Sequence, residues 1–242
     1  MTLRLGILQC DSVRPEFQPE FDDYPDMFRR LLTTAAVRPG FRVYDLTAGT
    51  FPASVGECDA WLFTGSKWSV YDPDQWIRDA HELARTLHEA QRPTIGICFG
   101  HQLIARSLGG RVEKAAAGWG VGVHTTEILR HEPWMRPARA SLSLLVSHQD
   151  QVVEPPAGAE HLAGHAFCPY DMFRIGDHIL TLQGHPEFEP GYSRATMDMR
   201  RERLGEETYR AGVASLDTAI DPGVAAAWIH SFIARARGER SA

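Results

Sequence analysis

Short apolar runs alternate along this chain with stretches in which apolar residues recur at helical spacing. Leu3–Leu8, Phe41–Asp45, Ala60–Phe63 and Thr94–Ile97 are compact and apolar or aromatic, as strands covered on both faces are. Between Trp76 and Gln91, residues Trp76, Ala80, Leu83, Ala84 and Leu87 line one helical face. Asp26–Ala36 predicts a second helix with Pro25 in its first turn, and Phe99–Leu108 a third, closed by Gly109-Gly110. Beyond Arg111 the pattern changes. Val121–Leu129, Ser143–Ser147, Phe173–Ile175 and Ile179–Gln183 predict strands joined by turns, and two helices follow at about Gly191–Leu204 and Val224–Arg237. Strand–helix alternation gives a doubly wound α/β fold: a mostly parallel sheet flanked by helices, with a few antiparallel strands at one side. No repeat or linker interrupts it, so residues 1–242 are expected to form a single domain.

The most specific chemistry sits where the strand at Thr94–Ile97 meets the helix at Phe99. Gly96-Ile97-Cys98-Phe99-Gly100 places a cysteine between two glycines at a strand-to-helix corner. A nucleophile on so tight a turn has a strained backbone, and Cβ atoms two residues to either side would collide. The helix N-terminus behind the sulfur favours thiolate. A second motif, Gly184-His185-Pro186-Glu187-Phe188, follows the strand-like Ile179–Leu182. His185 can take the Cys98 proton and return it to a leaving amine, with Glu187 fixing the imidazole tautomer. Cys98 has a rival reading as a buried structural thiol, and His185 with Glu187, taken alone, reads as an ordinary strand-end pair. Elbow and downstream motif together favour catalysis.

In type and order, these motifs resemble those of the class I glutamine amidotransferase family, an elbow Gly-x-Cys-x-Gly followed by His-Pro-Glu. The likeness runs from Leu3 to about Phe188. It implies a flavodoxin-like fold, a Cys98-His185-Glu187 triad and a γ-glutamyl thioester intermediate, with no cofactor. The Phe99 N–H, next after the nucleophile, is one expected oxyanion donor. Gly65, in a loop where relatives carry a Gly-Gly-Pro-type turn but this chain reads Thr64-Gly65-Ser66-Lys67-Trp68, is favoured over Ser66 as the second. By the same resemblance Gln102 contacts the bound amino acid. Ser147-His148-Gln149-Asp150 is similar to the Ser-His-x-Asp segment of the amidotransferase domain of GMP synthase. Backbone near Ser147 and His148 is thereby implied to hold the α-carboxylate, with Asp150 near the amine.

Composition narrows the function classes. A net charge of −6 leaves no basic footprint for nucleic acid, and 43% hydrophobic residues suffice for a large core. The expectations are no signal peptide, no membrane span and a reducing, cytoplasmic compartment, since Cys10, Cys58, Cys98 and Cys168 show no paired pattern. His161, His165 and Cys168 lack a fourth ligand and are read as scattered polar residues, so no metal is expected. His101 on the elbow helix is read as structural, Cys10, Cys58, Trp61 and Trp76 as core, and Trp68 as either core or site cover. Arg235, Arg237 and Arg240 are read as a cationic helix end. Three functional readings stay open. One is a glutaminase that releases ammonia to a synthase partner. Another is a stand-alone peptidase acting on larger γ-glutamyl amides, and the last a non-catalytic module that kept the fold.

Overall fold

The computed structural model describes residues 3–238, so Arg240 lies outside the described residues. The chain opens with β1 (Arg4–Gln9), the one-turn α1 (Gln18–Phe21), α2 (Tyr24–Leu32), β2 (Gly40–Asp45) and β3 (Ala60–Phe63). Next come α3 (Gln75–Glu89), β4 (Thr94–Ile97) and α4 (Phe99–Ser107). A strand-rich stretch follows: β5 (Arg111–Lys114), β6 (Gly120–Ile128), β7 (Ser141–His148), β8 (Asp150–Glu154), β9 (Ala159–Gly164), β10 (Met172–Ile175) and β11 (Ile179–Leu182). Four helices close the chain: α5 (Pro190–Met199), α6 (Arg201–Leu204), α7 (Glu206–Ser215) and α8 (Pro222–Ala236).

Nine strands form one sheet in the order β2-β1-β3-β4-β11-β10-β9-β6-β7. From β2 to β11 every pairing is parallel, and from β11 onward every pairing is antiparallel. β5 and β8 make a separate antiparallel pair. In the parallel half, β3, β4 and β11 are buried at every position because helices cover both faces. Alternate side chains feed two cores. Leu5, Ile7, Leu62 and Ile95 pack with Phe28 of α2 and Trp228, Ile229 and Phe232 of α8. Leu8, Trp61 and Phe63 pack with Trp76 and Leu87 of α3 and Leu103 and Ile104 of α4. The antiparallel half bends back on itself: beyond β11 the His185 N–H donates to Leu145 O of β7 at 2.8 Å, an antiparallel bridge.

Several boundaries differ from expectation. The first long helix starts earlier, where the Asp23 carboxylate caps Tyr24 N, and ends at Leu32, with Thr33 extended. The helix expected over Gly191–Leu204 breaks at Arg200 into α5 and α6. α7 escaped notice because only Tyr209 and Gly212 of it are buried, which leaves no apolar stripe to read. Among the described residues no helix is long and apolar enough to cross a membrane.

Candidate active site

Cys98 occupies the corner between β4 and α4 with φ 50° and ψ −100°, a region that non-glycine residues rarely adopt. Such strain costs about 1–3 kcal/mol and persists only where the surroundings enforce it. The flanking glycines show the enforcement. A Cβ on Gly96 would lie 2.7 Å from Gly100 O, and one on Gly100 would lie 2.6 Å from the Phe63 Cβ. β4, the start of α4 and β3 therefore touch backbone to backbone. Cys98 N–H donates to Leu182 O at 2.8 Å, tying the corner to β11.

That tie matters because β11 leads into the second motif. Ile97 pairs with Leu182, so the chain leaves both parallel strands at the same end, and His185 follows three residues later. His185 Nδ1 is 2.7 Å from Glu187 Oε1, which leaves Nε2 for the sulfur. Phe188 stacks on the imidazole, ring centroids 3.9 Å apart and 11° from parallel, and Tyr192 meets Phe188 edge-on. The side chains of His185 and Glu187 are 4% and 0% exposed. Burial by itself would lower the His185 pKa. The Glu187 charge, with a further charge and hydrogen bond from Cys98, overcomes that and holds it well above the ordinary imidazole range. Glu187 thereby favours the charged form of the imidazole beside the sulfur.

Gly65 closes the other side. A Cβ there would fall 2.6 Å from His185 Cε1 and 3.6 Å from Cys98 Cβ, so the Gly65 backbone passes directly over both groups. The loop is held in place by Asp11, whose carboxylate accepts from Lys67 N and Lys67 Nζ, each at 3.0 Å. Phe99 opens α4, so its N–H lies in the first turn, where no helical carbonyl is available to it.

Cys98, His185, Gln102, Ser147 and His148 line one cleft, together with Asp150 and Trp68. Gln102 Nε2 donates to Asp150 O at 2.7 Å and Gln183 Oε1 at 3.0 Å, so its carbonyl is the group left for a ligand. Asp150 accepts hydrogen bonds from the Ser69 and Tyr71 hydroxyls, at 2.5 and 2.9 Å. Trp68 both lines the cleft and packs edge-on against Trp76. His124, His148 and His165 surround Phe167, and burial pushes His148 down to about 3 and His124 to about 4, which leaves those two rings neutral. His101 is away from the cleft, bonded to Thr181 Oγ1 at 2.8 Å inside the core. Cys10, Cys58 and Cys168 are buried, and desolvation raises each thiol, whereas Cys98 faces the cleft.

The sequence reading missed Asp11, Lys114, Trp119, Arg200 and Arg203. Asp11 anchors the Gly65 loop, and the other four line the outer cleft. Arg200 and Arg203 did stand in a visible arginine-rich run, Arg200-Arg201-Glu202-Arg203, but nothing local shows which way such side chains face.

A doubly wound α/β fold with a cysteine on its elbow and a His-Glu pair at the neighbouring strand end defines a recognisable class. Residues 50–199 match the family described as glutamine amidotransferase class-I, and the chain belongs to that family. Gamma-glutamyl peptidase 3 of Arabidopsis thaliana is 35% identical over 156 residues, 61% of each chain, so the match spans about three fifths of that relative. The glutamine-hydrolyzing GMP synthase of Thermomicrobium roseum is 30% identical, covering 71% of this chain and 36% of its own. A glutamine amidotransferase structure from Methylobacillus flagellatus superposes with a TM-score of 0.77 at 19% identity, over 100% of this chain and 98% of that one. The likeness to that structure is one of fold.

Proposed function

We propose that this protein is a cysteine hydrolase that cleaves the side-chain amide of γ-glutamyl compounds through a γ-glutamyl thioester. The observation that carries the reading is the buried Glu187–His185 pair brought by β11 to the sulfur at the end of β4. Cys98 thiolate attacks the amide carbon, and the N–H groups of Phe99 and Gly65 receive the oxyanion. As the C–N bond breaks, His185 Nε2 gives its proton to the leaving amine. Water then attacks the thioester, passes a proton to His185, and releases glutamate with the thiolate restored. Gln102 and the backbone at Ser147 and His148 hold the amino-acid head of the substrate.

Of the two catalytic readings, hydrolysis of larger γ-glutamyl amides comes first, because several γ-glutamyl peptidases are among the relatives. Glutamine hydrolysis with ammonia passed to a synthase partner is the second, favoured by the GMP synthase relatives. Either is expected of residues 1–242 working as one unit in the cytoplasm. The test is to incubate the protein with glutamine and with γ-glutamyl dipeptides, measuring glutamate, ammonia and amine, with Cys98→Ser as control. Glutamate from dipeptides without any partner supports the first reading; ammonia from glutamine alone supports the second. No Cys98-dependent product from either substrate class overturns the proposal.

A further inference from the structure

The outer cleft carries a charge pattern that the chemistry at Cys98 does not use. Four cations line it: Lys67, Lys114, Arg200 and Arg203. Lys67 is neutralised by Asp11. The other three have no carboxylate partner among the described residues, although other arginines on α5, α6 and α7 do. Arg194 pairs with Asp198, and both Arg201 and Arg210 pair with Glu206. Arg200 donates to Ser147 Oγ at 2.9 Å, and Arg200 and Arg203 both lie over the Trp119 ring, 5.8 and 4.8 Å from its centroid. Trp119 therefore holds two guanidiniums side by side at the cleft wall. Asp150 is the one carboxylate in the lining besides any substrate, and it already accepts from Ser69 and Tyr71.

Three uncompensated cations around one opening, in a chain of net charge −6, concentrate positive potential where a substrate enters. Glutamine is a zwitterion with a single carboxylate and would leave most of that charge unanswered. A γ-glutamyl peptide has the same head plus a second carboxylate on its leaving amine, and is a net anion. Resting on the γ-glutamyl hydrolase reading above, we infer that Lys114, Trp119, Arg200 and Arg203 form a leaving-group subsite for the free carboxylate of a γ-glutamyl peptide. Lys114 and Arg203 are exposed and supply attraction at the mouth. Half-buried Arg200 connects that mouth to the wall at Ser147. Exposed cations act through a screened field, so the preference belongs in kcat/KM and weakens with salt.

The experiment compares three substrates: a γ-glutamyl dipeptide with a free C-terminal carboxylate, the same dipeptide as its C-terminal amide, and glutamine. In low salt the acid is expected to exceed the amide in kcat/KM by about tenfold, and the ratio to shrink in high salt. The double variant K114M/R203M, checked for folding by circular dichroism, should bring the ratio near one while glutamine hydrolysis changes less than about twofold. Equal rates for acid and amide in the unaltered protein overturn the subsite. So does a double variant that slows all three substrates in parallel, which would put those cations on the glutamyl head. Turnover of glutamine alone removes the subsite and leaves the hydrolase standing, whereas turnover of none removes both.

Discussion

The parallel and antiparallel halves of the sheet treat polar groups in opposite ways. The parallel half, β2 to β11, buries its inner strands β3, β4 and β11 on both faces and brings Cys98, His185 and Gly65 together at one end of them. There, strain and a raised imidazole pKa are held by backbone contact and a buried carboxylate. The antiparallel half, β10 to β7, contains many polar side chains but silences them. His124 and His148 are driven neutral, and burial holds the Asp171 carboxyl up at about 7. One half favours the charged form of a buried imidazole, while the other holds its buried imidazoles neutral.

The largest test of that contrast pairs two cysteines. Cys98→Ser should lower kcat for γ-glutamyl amides by on the order of 10⁴-fold with little change in melting temperature. Cys168→Ser, buried in the antiparallel half, should keep kcat and lose about 1–2 kcal/mol of stability. Equal kinetic damage from both would erase the distinction. Glu187→Gln comes next, with a loss of about 10²- to 10³-fold. Because the Glu187 charge raises the His185 pKa, removing it should move the alkaline limb of the pH–rate profile to lower pH. An unmoved limb would show that some other group holds the proton.

Gly65→Ala should cost about 10²-fold in kcat, since the added methyl would have to displace the His185 ring. Denaturant melts should show far less effect. The smallest effect is thermodynamic. Burial raises Asp171 from 3.8 to about 7, so at pH values below both figures the folded and unfolded chains are equally protonated. Between them the unfolded chain ionises first, and stability falls as pH rises, reaching its full loss above about 7. Asp171→Asn should therefore add on the order of 1–3 kcal/mol in urea melts at pH 8 and nothing near pH 3. A gain independent of pH would point to packing instead.

How much could be read from residues alone follows the same division. Gly96, Cys98 and Gly100 announce a tight corner because sterics there act between residues two positions apart, and Ala60–Phe63 or Thr94–Ile97 announce themselves by being apolar throughout. β5 is polar and exposed at Arg111, Glu113 and Lys114, while β8 and β9 begin on polar or partly exposed residues (Asp150 and Gln151, Glu160 and His161), so their apolar pattern is diluted. Arg200, Arg203 and Lys114 become a set only because α5, α6 and β5 converge on one opening. Asp11 holds the Gly65 loop across fifty-six positions of chain, a relation no local spacing encodes.

Among the described residues β11 is the last strand in sequence, yet it lies in the interior of the sheet between β4 and β10. Synthesis must therefore have passed β11 before Leu182 can receive the Cys98 N–H and His185 can reach the sulfur. Until then the thiol lacks the imidazole beside it, and its corner lacks the hydrogen bond to Leu182. A chain truncated before β11 is therefore expected to show Cys98 reacting with a thiol probe no faster than an ordinary cysteine.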